Sequence, residues 1–194
     1  MSTVAIIDYG AGNIRSIQFA LERLGTTGLV TSNASEIAAS NHVIFPGVGA
    51  AGKAMEKLQA SKLDLLIPKL TQPVLGICLG MQLLCRSSEE NTTKGLDIFS
   101  EDVTRFSTDV KIPHMGWNTI TELRSPLFED VREEAYVYMV HSYYVPKNSQ
   151  TIAITDYGLA YAAAIQKDNF FGVQFHPEKS GEAGAQVLQN FLAL

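Results

Sequence analysis

The spacing of apolar positions changes character near the middle of the chain. In the first half, short apolar runs alternate with amphipathic stretches. Val4 to Asp8 reads as a strand, Ile14 to Leu24 as a helix with Ile14, Ile17, Leu21 and Leu24 on one face, and Leu29 to Thr31 as a second strand. Val43 to Phe45 is a third strand, Ala51 to Leu66 a helix, and Val74 to Ile77 a fourth strand. Strands separated by helices predict a parallel sheet covered by helices. Ser87 to Gly95 is polar throughout and is expected to be a loop. Beyond it long helices give way to strands and turns: Val103 to Phe106, Asn118 to Thr121, Val137 to Val140, Ile152 to Thr155, Ala160 to Ile165 and Phe170 to Phe175, with Lys167-Asp168-Asn169 turning the last hairpin. A final helix, Glu182 to Leu192, has Ser180 as its N-cap and Glu182 in its first turn. The pattern predicts an α/β fold of three layers, a central mostly parallel sheet flanked by helices with an added antiparallel strand region, in a single domain over residues 1–194.

Composition narrows the function classes. Of 194 residues, 46% are hydrophobic and 18% charged, enough for a substantial core. A net charge of -5 without a basic stripe argues against nucleic acid as the principal ligand. No charged-then-apolar leader opens the chain, and the longest mostly apolar run, Val74 to Cys85, is too short to span a bilayer and is interrupted by Gly76 and Gly80. The expectation is a cytosolic protein with no membrane contact. Gly10-Ala11-Gly12 follows the first strand as in dinucleotide sites, but Arg15 stands in place of the third glycine. Thr31-Ser32-Asn33 gives the second strand no acidic end for a ribose, so no cofactor is expected, and the turn leads instead into a helix capped by Asn13. His42, His114, His141 and His176 lack ligand spacing, so no metal is expected. Cys78 and Cys85, seven apart on what reads as one helix, would stand about 10 Å apart along its axis and should be free thiols.

The chemistry concentrates in three segments. Gly76-Ile77-Cys78-Leu79-Gly80 lies between an apolar strand and a helical pattern of Met81, Leu84 and Cys85, the arrangement of a nucleophile elbow with a thiol at its apex. The flanking glycines allow the tight backbone, and the helix amino terminus beyond favours the thiolate that attacks. Gly172 to Ser180 carries a strand-like run into His176-Pro177-Glu178, a base and a carboxylate to orient it, so Cys78, His176 and Glu178 fill the three roles of covalent catalysis. Oxyanion donors are expected from the Leu79 amide and from the loop Phe45-Pro46-Gly47-Val48-Gly49-Ala50, with Val48 and Gly49 foremost. Gly47 and Gly49 let main-chain amides approach a ligand closely. These residues define chemistry and not substrate: a stand-alone thiol hydrolase, or a binding subunit that no longer uses its triad, stays open.

With Asp8-Tyr9-Gly10-Ala11-Gly12-Asn13, Pro113-His114-Met115-Gly116-Trp117-Asn118 and His141-Ser142-Tyr143, these segments resemble the motifs of class I glutamine amidotransferases. They run from residue 8 to residue 180, and Met139 stands where an aromatic would be expected. The resemblance implies hydrolysis of L-glutamine to glutamate and ammonia through a cysteinyl thioester, with no cofactor. It implies that Gly47, Gly49, Gln82, His141, Ser142 and Tyr143 hold the glutamine. Within the family the motifs point to subunits that form a heterodimer with a (β/α)8-barrel cyclase, which uses the ammonia to make imidazole glycerol phosphate and aminoimidazole carboxamide ribonucleotide in histidine biosynthesis. A subunit serving another synthase, such as those for anthranilate or pyridoxal phosphate, is the alternative, and Pro113 to Asn118 argues against it. Asn13, His114, Met115, Trp117, Asn118 and Lys179 are the expected docking residues.

Overall fold

The structure is a computed structural model that describes residues 3–107 and 109–194. Four strands, β1 (Val4–Ile7), β2 (Gly28–Thr31), β3 (His42–Phe45) and β4 (Val74–Ile77), are separated in turn by α1 (Ile14–Arg23), by α2 (Ala34–Ala39), and by α3 (Ala51–Ala60) with α4 (Leu63–Leu66). After α5 (Leu79–Leu84) come β5 (Cys85–Ser88), β6 (Thr93–Lys94) and β7 (Phe99–Arg105), then an antiparallel pair, β8 (His114–Ile120) and β9 (Ala135–His141). β10 (Tyr143–Pro146), β11 (Thr151–Asp156), β12 (Ala160–Lys167) and β13 (Phe170–Val173) return to the main sheet, and α6 (Gly181–Leu192) closes the chain.

The main sheet runs β2-β1-β3-β4-β13-β12-β10-β7-β5-β6, with β11 also paired to β12. It is mixed. From β2 to β13 every pairing is parallel, and from β13 outward the pairings are antiparallel except that of β5 with β7. Alternate strand residues feed two separate cores. Ala5, Ile7, Val43, Phe45 and Val74 meet Ile37 of α2, Leu58 of α3 and Leu83 of α5. Val4, Ile6, Ile44, Leu75 and Ile77 meet Ile17 and Leu21 of α1 and Val187 and Phe191 of α6. Burial on both faces is why the strands read as unbroken apolar runs. Each fully buried Ile, Leu or Phe contributes about 1.5–3 kcal/mol. The β8–β9 pair leans on the second core through Ile120, Val137 and Met139.

Several elements depart from the expected pattern. The helix expected over Ala51 to Leu66 breaks at Lys62, which takes a left-handed φ of 58° between α3 and α4. The expected loop from Ser87 to Gly95 holds the end of β5, a 3₁₀ turn at Glu90–Thr92, and β6. Polar bonds tie this stretch to β7: Asp102 accepts from Ser87 Oγ at 2.5 Å and from Nε of the preceding Arg86 at 2.9 Å, and Glu89 accepts from the Arg105 amide at 2.7 Å. Cys85 begins β5 and does not extend the helix, and both cysteines are free. Helix α2 is too short for a periodic signal; Asn33 fixes it by accepting from the Ser35 amide at 2.9 Å. Ser180 sits at the N-cap of α6, but its hydroxyl donates to His176 O and accepts from the Tyr138 amide, so it ties β9 to the base segment and does not cap the helix. Asn13 precedes α1 without a side-chain cap bond. Among the described residues, no helix is long and apolar enough to cross a membrane.

Candidate active site

β4 lies between β3 and β13 in the parallel half and ends at Ile77. Cys78 then takes φ 54°, ψ -110°, and α5 begins at Leu79. A side chain in this region is strained by about 1–3 kcal/mol, held here by the Cys78 amide bonding Val173 O at 2.8 Å. Gly76 and Gly80, expected to supply the unusual backbone themselves, instead supply room. A Cβ at Gly76 would lie 2.8 Å from Met81 N, and one at Gly80 would run into the Phe45 carbonyl. The elbow is wedged against β3 and its own helix, and the strain falls on Cys78.

β13 pairs with β4 in parallel, Val173 beside Ile77, so both chains leave the sheet at the same edge. Three residues past Val173, His176 reaches the elbow, and the turn Pro177–Lys179 folds Glu178 back beneath it. His176 Nδ1 and Glu178 Oε1 are 2.8 Å apart, and both side chains are buried. Because the carboxylate accepts, Nδ1 carries a proton, and Nε2 makes no bond of its own elsewhere. Burial pulls the imidazole pKa down, but the Cys78 sulfur and the Glu178 carboxylate outweigh it and carry it up to about 10. The ring is therefore an imidazolium at neutral pH, with a proton to give.

The sulfur has two further neighbours, Val140 O at 3.8 Å and Gln174 Nε2 at 3.7 Å. Gln174 was not singled out in the sequence, although a lone polar residue within the apolar run Phe170 to Phe175 marks a buried polar contact. Its Oε1 accepts from Gln82 Nε2 at 2.9 Å, and Gln82 Nε2 also donates to Tyr143 O at 2.9 Å. The amide nitrogen of Gln82 is thus used inside the protein.

A pocket of about 280 Å³ opens over the sulfur. It gathers Cys78, His176, Leu79, Gln82 and the run His141-Ser142-Tyr143, together with Val48 and Gly49 from the loop after β3. As the first residue of α5, Leu79 has an amide with no partner within the helix, and the residue lines the pocket. Gly49 takes φ 96°, open to glycine without strain. Gly47 does not line the pocket: a Cβ there would lie 2.6 Å from Gly80 N, so its bareness lets the loop rest on the elbow. Tyr9 Oη pins that loop by donating to Pro46 O at 2.9 Å. Glu90 also lines the pocket and accepts from the Ala51 amide at 2.8 Å; its place in an apparent loop hid it. Among the described residues, no group of three or more His, Cys, Asp or Glu side chains could hold a metal ion.

The expected docking run Pro113 to Asn118 is not one face. From His114 onward it lies on β8, and strand alternation divides it. Met115 and Trp117 point outward at 61% and 56% exposure, joined by Tyr136 of β9. His114 is turned inward, buried and stacked on Tyr157 at 3.8 Å between ring centroids, so its side chain is not available for docking. Asn118 is partly buried and donates to Asp156 O at 2.7 Å. Lys179 is exposed with Nζ 5.7 Å from the Tyr138 ring, and Trp117 meets the same ring edge-on at 6.0 Å. Asn13 stands apart, in the loop before α1.

The sequence model of the family Glutamine amidotransferase class-I matches residues 5–194. A protein of Bacteroides fragilis named imidazole glycerol phosphate synthase subunit HisH is 54% identical over 194 residues, 98% of this chain and 99% of the relative. Proteins of the same name from Salmonella typhimurium and Buchnera aphidicola are 48% and 47% identical, each over 98% of this chain and 99% of the relative. Among solved structures, one described as a glutamine amidotransferase superposes with a TM-score of 0.78 at 15% identity, covering 99% of this chain and 98% of that one. PurLQS from Thermotoga maritima gives 0.76 at 19% identity, covering 100% and 99%.

Proposed function

The chain belongs to the class-I glutamine amidotransferases, and from that premise we propose that it is the glutamine-hydrolysing subunit of an imidazole glycerol phosphate synthase. The observation that carries this reading is the buried His176–Glu178 pair set beside Cys78 at the ends of two adjacent parallel strands. Cys78 attacks the side-chain amide carbon of glutamine as its thiolate, and the amides of Leu79, Val48 and Gly49 take the negative charge that forms on oxygen. His176 gives its Nε2 proton to the departing nitrogen, which leaves as ammonia and forms the thioester. Water, losing a proton to the same nitrogen, then attacks the thioester; the sulfur leaves as the thiolate that began the cycle, and glutamate is released with its carboxyl proton passing to solvent. Glu178 orients the ring through Nδ1–H and stabilises its positive charge. Gln82, His141, Ser142 and Tyr143 hold the substrate, and neither cofactor nor metal takes part.

Free ammonia is protonated in neutral water and loses its nucleophilicity, so it must pass directly to a second active site. The partner in this reading is a (β/α)8-barrel cyclase of histidine biosynthesis, forming a heterodimer in the cytoplasm, with the chain acting as one domain. Met115, Trp117, Tyr136 and Lys179 supply the docking surface. Val140 shares a face of the β8–β9 pair with Met115, Trp117 and Tyr136, and its carbonyl is 3.8 Å from the Cys78 sulfur, which supports a docking surface beside the pocket mouth.

The test is glutamate release by the chain alone and co-purified with its cyclase, for wild type and Cys78→Ala. Weak activity alone, strong stimulation by cyclase carrying its nucleotide ligand, and none in the variant are expected. Equal turnover with and without liganded cyclase would overturn the coupling, and glutamate released by Cys78→Ala would overturn the nucleophile.

A further inference from the structure

We propose that Tyr161 is a positioning residue for the glutamine pocket: its buried hydroxyl joins His114 of β8 to His141 of β9 in a hydrogen-bond chain of fixed direction that shapes the turn presenting Ser142 to the substrate. The proposal rests on the glutaminase reading for its kinetic consequence, though not for its geometry.

Tyr161 lies on β12 and is fully buried. Its Oη is 3.0 Å from His141 Nε2 and 3.0 Å from His114 Nδ1, while His141 Nδ1 is 2.8 Å from Tyr143 O. The direction follows from chemistry. A carbonyl only accepts, so His141 carries a proton on Nδ1. Burial lowers the pKa of His141 to about 3 against the opposing pull of the Tyr143 carbonyl, so the ring is neutral and Nε2 offers a lone pair. That lone pair takes the one hydroxyl proton of Tyr161, whose own pKa burial raises. The Tyr161 oxygen must then accept its second bond, which places the other proton on His114 Nδ1. Burial likewise lowers His114, to about 4, so its Nε2 is an acceptor, facing Asn118 Nδ2 at 3.5 Å. Asn118 is oriented to supply that donor, since its Oδ1 accepts from the Thr119 amide at 2.8 Å.

The chain ends where β9 passes into β10. The bond from His141 Nδ1 to Tyr143 O spans two residues and closes the turn whose apex, Ser142, lines the pocket. Tyr143 O is also the acceptor for Gln82, so one carbonyl joins this chain to the amides that run through Gln174 to Cys78. Without the Tyr161 hydroxyl, His141 Nε2 loses its donor and the ring is held from one side only, by Tyr143 O. Tyr161 touches neither the pocket nor the sulfur in this arrangement; it acts through His141.

Two measurements test this. Long-range proton–nitrogen correlation spectra of histidine-labelled wild type at neutral pH should show both His114 and His141 as Nδ1–H tautomers, and an Nε2–H pattern at either ring would overturn the chain. Tyr161→Phe keeps the ring packing and removes one hydroxyl. In complex with the cyclase it should raise the KM for glutamine about fivefold while kcat stays within about twofold. An unchanged KM, or a fall in kcat at constant KM, would overturn the positioning role. The tautomer measurement needs no substrate and no variant. A wild-type complex that fails to hydrolyse glutamine would therefore count against the functional reading and leave the chain to be decided by its spectra.

Discussion

Val173 lies directly beside Ile77 in the parallel pairing of β13 with β4, and its carbonyl accepts the Cys78 amide at 2.8 Å. The nucleophile and its base, separated by nearly a hundred residues of chain, are thus registered by backbone hydrogen bonds. Neither side chain has to find the other, because the sheet brings the two strand ends to one edge. Ligand sites in open parallel sheets form at the carboxyl ends of strands for this reason.

The elbow glycines should separate by mechanism. Gly80→Ala places a methyl against the Phe45 carbonyl, a rigid backbone atom, and should cost about 3 kcal/mol or more of stability in urea denaturation. Gly49→Ala meets nothing within 4 Å and is opposed only by its φ of 96°. It should lose about 1–2 kcal/mol, stay folded, and show its effect as a lower kcat. Equal destabilisation by the two would contradict the packing account of Gly80.

Cys78 should display the strain of its conformation once its chemistry is removed. At an ordinary site Gly is less stable than Ala by about 0.5–1 kcal/mol. At φ 54° the order should reverse, with Cys78→Gly about 1 kcal/mol more stable than Cys78→Ala and both inactive. Thermal denaturation of the two variants checks the sign, and an Ala variant at least as stable would mean the elbow is not strained.

The parallel half of the fold was legible because buried strands and amphipathic helices leave strong apolar patterns, as Val43 to Phe45 and the α1 face demonstrate. The elbow and the His176 segment were legible because each needs several special residues in a short span. What escaped was set by distant partners. β5 is a polar strand held between β7 and β6 near the end of the sheet, and nothing local says so. His114 and Trp117 look alike in sequence, three residues apart, and only the strand alternation of β8 sends one inward and the other out. Gly47 was expected to bring a main-chain amide close to a ligand, yet what lies against it is the elbow.

Stability should fall on both sides of neutrality for two different histidine environments. His176 has a pKa raised above the unfolded value of 6.5 to about 10, so the native state holds the extra proton between those values. The stabilisation is complete below pH 6.5 and lost as pH rises toward about 10. Glu178→Gln removes a cause of the shift and should flatten the alkaline slope while lowering kcat. His141 and His114 have pKa values lowered to about 3 and about 4, so their contribution is present above 6.5 and lost as pH falls. Urea denaturation from pH 4 to pH 10 measures both limbs. An alkaline limb identical in wild type and Glu178→Gln would show that the pair is not charged as described.

The exposed strip of the β8–β9 pair should carry the affinity for the cyclase. Met115, Trp117 and Tyr136 are large apolar side chains left in solvent on neighbouring strands, and Trp117 is braced by Tyr138, which also carries Lys179 over its ring. A braced aromatic loses little conformational freedom on binding, which is what makes such a residue the centre of an interface. Trp117→Ala should leave thermal stability and unstimulated glutaminase activity nearly unchanged, because the side chain supports no core. It should weaken binding to the cyclase by about 2 kcal/mol or more, roughly 30-fold, in a titration. Phe19→Ala provides the contrast: Phe19 is similarly exposed, at 47%, but lies on α1 beneath the guanidinium of Arg15 and not on β8 or β9. It should leave the affinity within a factor of about two. A cyclase that binds Trp117→Ala as tightly as wild type would move the docking face elsewhere, and a comparable loss with Phe19→Ala would point to α1.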